Sequence, residues 1–134
     1  LELRPLSWEE IKMMDNFGIT FGSHSKTHTA LAALSRDAIR VELSDSKKRI
    51  ETSLGHTIDN LAYPFGSRGS FNGTVSEIAA ETGYRYAYSN IMGINKDDGK
   101  DNLTLKRVRI YSEDGPLKLK MKICGAYDWV DAIL

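Results

Sequence analysis

Three times along the chain a stretch with helical character closes on a glycine and is followed by a short apolar run. Gly18 precedes 19–21, Gly55 precedes 60–63, and Gly83 precedes 84–89. A glycine just past the last helical residue takes the left-handed conformation that ends a helix. Short apolar runs separated by helices pair in parallel, because a parallel connection needs about a dozen residues or more. That repeated order confines the chain to an α/β architecture.

The individual elements follow from caps and periodicity. Ser7 caps a first helix over 8–16, with Glu9 and Glu10 set against the positive end of its dipole. Residues 19–21 are expected to form a short buried strand, broken by Gly22 and Ser23, which deliver His24. Ser35 caps a long second helix whose inner face carries Ile39, Leu43, Ile50 and Leu54. A strand over 60–63 is stopped by Pro64 and Gly66. Thr74 is the expected cap of a third helix reaching Thr82, with Val75, Ile78 and Ala79 inward. A strand over 84–89, a polar loop over 93–102, a strand over 105–111 and a helix running from Pro116 toward Cys124 complete the order. About four strands are too few to close an eight-unit barrel.

Composition narrows the function classes. Eighteen Lys and Arg balance eighteen Asp and Glu, so the chain lacks the basic excess of a nucleic-acid binder. No window has the unbroken apolar length of a membrane span. The single cysteine, Cys124, rules out an internal disulfide and reads as a packed thiol. The first residue is Leu1, with no leader in view, so localisation is not legible from this end.

The chemistry concentrates in two segments. In GSHSKTH, His24 and His28 stand four apart and can put both imidazoles on one side of a helical turn to bind one divalent metal. Alone, such a pair is more often two surface or capping histidines. Ser25 occupies the position where a zinc protease of the HExxH type carries its glutamate base, which excludes that chemistry. The pair lies at a strand-to-helix junction, where α/β proteins place active sites. The second segment is LAYPFG, where Pro64 stiffens a turn and Gly66 permits an unusual one. A loop of this kind can direct a backbone N–H at a developing oxyanion while Tyr63 and Phe65 line a sugar-sized groove. Taken alone, the segment reads more readily as an ordinary strand-ending turn with two core aromatics.

Together these residues resemble the polysaccharide deacetylase family, also known as carbohydrate esterase family 4 or the NodB-homology domain. The family motif H-[ST]-x-x-H is met by His24, Ser25, Lys26, Thr27 and His28, and the spacing onward to YPFG and ETGYRYAYS is similar as well. The resemblance spans about residues 5–112. It implies a partial, distorted (β/α) barrel lacking its N-terminal strand or strands, with residues 1–134 as the C-terminal portion of one catalytic domain. It implies a metal-dependent hydrolase that removes N-acetyl or O-acetyl groups from a carbohydrate polymer, a metal-bound water attacking the acetamide carbonyl. His24 and His28 would bind the metal, most often zinc, with an aspartate, and a second aspartate would act as base. The Phe65 backbone N–H would bind the oxyanion, and Tyr63, Pro64 and Phe65 would contact substrate. Arg107, in LKRVRI, matches an arginine that orients the catalytic aspartate. An extracellular or cell-envelope location is likewise implied.

The departures are as informative. The family's two aspartates belong to an early strand, and the chain is expected to begin after them. The arginine that often precedes the proline motif is missing, and no histidine follows His56, so the late general acid has no counterpart. His56 itself reads as a surface residue. Two other functions fit the same residues: a catalytically inactive carbohydrate-binding homologue, and a deacetylase of a small or lipid-linked sugar. A partial barrel would also leave sheet edges unpaired and open to self-association.

Overall fold

A computed structural model describes residues 4–95 and 102–128. Its elements are α1 (Trp8–Asn16), α2 (Arg36–Leu54), β1 (Asn60–Ala62), α3 (Gly73–Glu81), β2 (Tyr86–Tyr88) and α4 (Pro116–Ile123), with one 3₁₀ turn at Leu31–Ala33. Strands β1 and β2 pair in parallel, Leu61 opposite Ala87, and single parallel bridges add Ser23 beside Leu61 and Leu105 beside Tyr88. Four chain segments therefore run in one direction across the sheet, in sequence order. The α/β expectation holds.

The helices form where capping and periodicity place them. Ser7 and Glu10 make a reciprocal capping box on α1, and Arg4 grips the Glu10 carboxylate at 2.6 and 2.8 Å. The hydrogen bonds from Arg4 and the Ser7 backbone pull the Glu10 carboxyl down to about 2. Ser35 caps α2, and Gly55 ends it in the left-handed conformation at φ 84°. Helix α3 starts at Gly73, one residue before the expected Thr74 cap, because the Asn72 carboxamide accepts from Val75 N at 3.1 Å. Ile39, Leu43, Val75, Ile78 and Ala79 meet Leu61, Tyr63, Tyr84 and Ala87 in one buried core, with Ile50 and Leu54 at its margin.

The strands are shorter than the apolar runs suggest, for identifiable reasons. Residues 19–21 form no strand, and Ile19 is half exposed. Its N–H is taken by Met14 O while Gly18 N bonds Asp15 O, the double closure that seals a helix end. The same closure at Ala79, Ala80, Gly83 and Tyr84 delays β2 to Tyr86. Beyond Leu105 the expected strand over 105–111 does not continue: Arg107 N bonds Ile91 O at 3.0 Å, past the end of β2, and the Asn95 carboxamide takes the N–H and C=O of Lys106 on the opposite side. Of the polar loop expected over 93–102, residues 96–101 lie outside the described region. Cys124 is exposed rather than packed, since it caps the end of α4 on the outer surface. No helix among the described residues is long and apolar enough to cross a membrane.

His56 is exposed and ties the end of α2 to α1 through a 2.8 Å contact from Nε2 to Asp15 Oδ2. Its hydrogen bonds to Thr57 O and Asp15 raise its pKa. A raised folded-state value stabilises the fold fully below the unfolded value of about 6.5 and ceases to do so as pH rises through the folded one. Thermal unfolding should therefore show His56→Gln to be more damaging at pH 5.5 than at pH 8.5.

Candidate functional site

The parallel sheet brings four segment exits to one edge. Ser23 leads into His24, Ala62 into Pro64 and Phe65, Tyr88 into Asn90, and Leu105 into Arg107. Their side chains and backbone line one recess of about 410 Å³, formed by His24, His28, Ala62, Tyr63, Phe65, Asn90 and Arg107. In open parallel sheets this carboxyl edge is where ligands bind. A larger open groove of about 970 Å³ lies between Trp8 of α1 and the 45–53 stretch of α2, but it gathers only one of the two imidazoles. The smaller recess is the one that gathers both imidazoles and the proline loop.

His24 Nδ1 lies 2.7 Å from Ala62 O. A carbonyl only accepts, so Nδ1 carries a proton, which leaves Nε2 as the ring nitrogen that a metal would use. A backbone carbonyl behind a histidine is the usual second partner of a metal-ligating imidazole. The His28 ring stands edge-on to His24, centroids 4.8 Å apart. This pairing is not the helical turn expected from the spacing. Residues 24–28 form a loop in which Ser25 and His28 are left-handed, at φ 65° and 59°. The left-handed backbone folds the loop back so that two residues four apart meet.

Glu42, on the inner face of α2, holds that loop. Its carboxylate accepts from Lys26 N at 3.0 Å, Thr27 N at 2.8 Å and Thr27 Oγ1 at 2.8 Å. Burial pushes its carboxyl up, but the hydrogen bonds from Thr27 and Lys26 outweigh this and leave it below the usual range. Sequence reasoning passed over Glu42. The available signal was a carboxylate one residue before Leu43 on the apolar face of α2, where an acid requires partners.

The proline loop supplies the opposite wall. Phe65 is left-handed at φ 61°, and Gly66 N bonds Pro64 O at 2.7 Å, closing a three-residue turn. Its ring is more than half exposed and meets the His28 ring at 4.9 Å. Among the described residues the Phe65 N–H donates to no protein acceptor. Pro64 is buried beneath it. The Tyr63 ring turns into the core, stacked on Phe71 at 4.3 Å with its hydroxyl donating to Leu103 O. Of the two aromatics expected to line a groove, only Phe65 presents its ring. Ser25, His28 and Phe65 are the three left-handed non-glycine residues among the described ones, and all lie in these two loops. Each costs about 1–2 kcal/mol, a clustering typical of functional sites.

Arg107 lines the recess beside Asn90. Its Nε donates to Ser89 O at 2.6 Å and Nη2 to Asn90 Oδ1 at 3.2 Å. Asn90, also missed by sequence reasoning, is the second residue the structure adds. Among the described residues no third His, Cys, Asp or Glu joins the histidines as a metal donor.

The family model described as Polysaccharide deacetylase matches residues 4–87. The chain belongs to the polysaccharide deacetylase family. It is 29% identical over 106 residues to YxkH of Bacillus subtilis (strain 168), predicted to be a polysaccharide deacetylase; the match covers 78% of this chain and 36% of that protein. It is similar to the Streptococcus pyogenes deacetylase PplD in complex with acetate, with TM-score 0.79 and 29% identity over 87% of this chain and 50% of that one. The Bacillus cereus polysaccharide deacetylase BC0361 superposes with TM-score 0.75 and 30% identity, over 88% of this chain and 36% of that one. The chain thus spans about a third to a half of the length of these relatives.

Glu42→Ala should destabilise the fold by about 2–4 kcal/mol, since it strands the partly buried N–H groups of Lys26 and Thr27. Glu42→Gln, which keeps an acceptor, should lose less. Urea unfolding midpoints of the two variants would check the order.

Proposed function

We propose that the full-length protein is a metal-dependent hydrolase that removes acetyl groups, on nitrogen or oxygen, from a polysaccharide. The observation that carries this reading is the recess joining two facing imidazoles to a free, left-handed-loop N–H. His24, presenting Nε2, and His28 would hold the metal, and two imidazoles completed by a carboxylate suit zinc. Bound there, a divalent ion would polarise the acetyl carbonyl and lower the pKa of water.

The remaining roles fall to this chain's own groups. The Phe65 N–H donates to the acetyl oxygen as negative charge builds on it. The exposed Phe65 ring offers an apolar wall to the sugar, while Tyr63 and Pro64 set the backbone beneath it. Arg107 adds positive charge at the rim and orients the carboxylate that serves as base. That base, the carboxylate completing the metal site and the early strand of a distorted barrel are assigned to the part of the relatives that this chain does not span. The same part would cover the sheet edge beside Ser23, which otherwise remains open to self-association.

A carbohydrate-binding homologue without turnover is the second reading, favoured by the absence of an acidic side chain among the described residues of the recess. The two separate cleanly. In the full-length protein, His24→Ala and His28→Ala should each weaken zinc binding in equilibrium dialysis by at least ~10-fold and abolish acetate release from N-acetylglucosamine oligomers. Zinc retained equally by both variants would overturn the metal assignment. Oligomer binding without acetate release would establish the second reading.

A further inference from the structure

We propose that Asn90 is a positioning residue that holds the Phe65 turn in its working conformation, and that Arg107 acts on the turn through Asn90. This rests on the deacetylase reading of the site, and the test separates the two.

The backbone of the turn is locked from both sides. A peptide unit is planar and trans, so Pro64 C=O and Phe65 N–H point in opposite directions. Gly66 N holds Pro64 O at 2.7 Å, which aims the Phe65 N–H away from the turn. The next carbonyl, Phe65 O, accepts from Asn90 Nδ2 at 3.1 Å, and Gly66 O accepts from Asn90 N at 2.8 Å. The two segments touch so closely that a Cβ on Gly66 would fall 2.5 Å from Asn90 N. A left-handed Phe65 with an exposed ring gains little from packing, so its conformation depends on these bonds.

The side chain at position 90 must donate and accept at once. Nδ2 gives to Phe65 O while Oδ1 receives Arg107 Nη2 at 3.2 Å, and Arg107 Nε anchors on Ser89 O. The arginine fixes which way the carboxamide faces, and therefore which atom meets the turn. Aspartate would keep the arginine contact but place an acceptor against the Phe65 carbonyl. Glutamine would carry the right groups one methylene too far.

The experiment uses Asn90→Asp, Asn90→Ala and Arg107→Lys in the full-length protein, with two readouts. Amide hydrogen exchange at Gly66 should accelerate at least ~10-fold in both Asn90 variants, with core amides such as Leu61 unchanged. The kcat for acetate release should fall ~10- to 100-fold with KM and zinc affinity near the wild-type values, because the N–H acts in the transition state. Arg107→Lys, which retains charge but loses the forked contact, should accelerate Gly66 exchange by less than the Asn90 variants do; exchange is its readout, because its proposed base-orienting role would lower kcat by itself. Unchanged Gly66 exchange in Asn90→Asp, or faster exchange with full kcat, overturns the proposal. If the wild-type protein releases no acetate, the deacetylase reading fails and the catalytic half of the proposal fails with it. The exchange data then still decide whether Asn90 locks the turn.

Discussion

The parallel pairing of β1 is the constraint on which the rest depends. Leu61 is fully buried, with Ser23 on one side and Ala87 on the other, and Leu105 follows beyond Tyr88. Because the paired segments share one direction, each must leave the sheet at the same edge. An imidazole, a free backbone N–H, a carboxamide and a guanidinium arrive together there for topological reasons, before any contact among them forms. An antiparallel pairing of the same segments would have divided these groups between opposite edges.

What happens at that edge is governed by polar groups that offset local strain. The left-handed residues Ser25, His28 and Phe65 are unfavourable in isolation and persist because neighbouring segments hold the loops. Glu42 holds the histidine loop from α2, spending a buried carboxylate on three short hydrogen bonds. Asn90, just past β2, bonds the proline loop and is itself held by Arg107 from the segment after Leu105. Both braces come from elements distant in sequence, so each loop conformation is a tertiary property. The helices behind them supply rigidity: α2 and α3 bury Ile39, Leu43, Val75 and Ile78 against the sheet.

Legibility in the sequence followed the range of the interactions. Helices α1 and α2 could be read residue by residue, since a cap at Ser7 or Ser35 and a stop at Gly18 or Gly55 act within one turn. The strands could be located but not measured. The apolar run at 19–21 reads as buried strand, yet the Ile19 N–H serves the end of α1, a choice that hydrophobicity does not encode. The apparent strand over 105–111 ends after Leu105, where Arg107 N turns to Ile91 O beyond β2 and the Asn95 side chain, eleven residues away, takes the Lys106 backbone. The Thr74 cap lost to Asn72 for a similar reason, as two competent side chains lay within two residues.

By itself the sequence determined the α/β class, the helices and their inner faces, and the histidine and proline segments that mark the family. Those properties rest on local conformation and residue type, which neighbours along the chain set. Only the tertiary structure decided that His24 and His28 meet through a left-handed loop rather than a helical turn, and that the Tyr63 ring faces the core while Phe65 faces the recess. It alone revealed Glu42 and Asn90. Their partners lie 15 to 25 residues away, and a side chain's role at that distance is fixed by what the fold brings beside it.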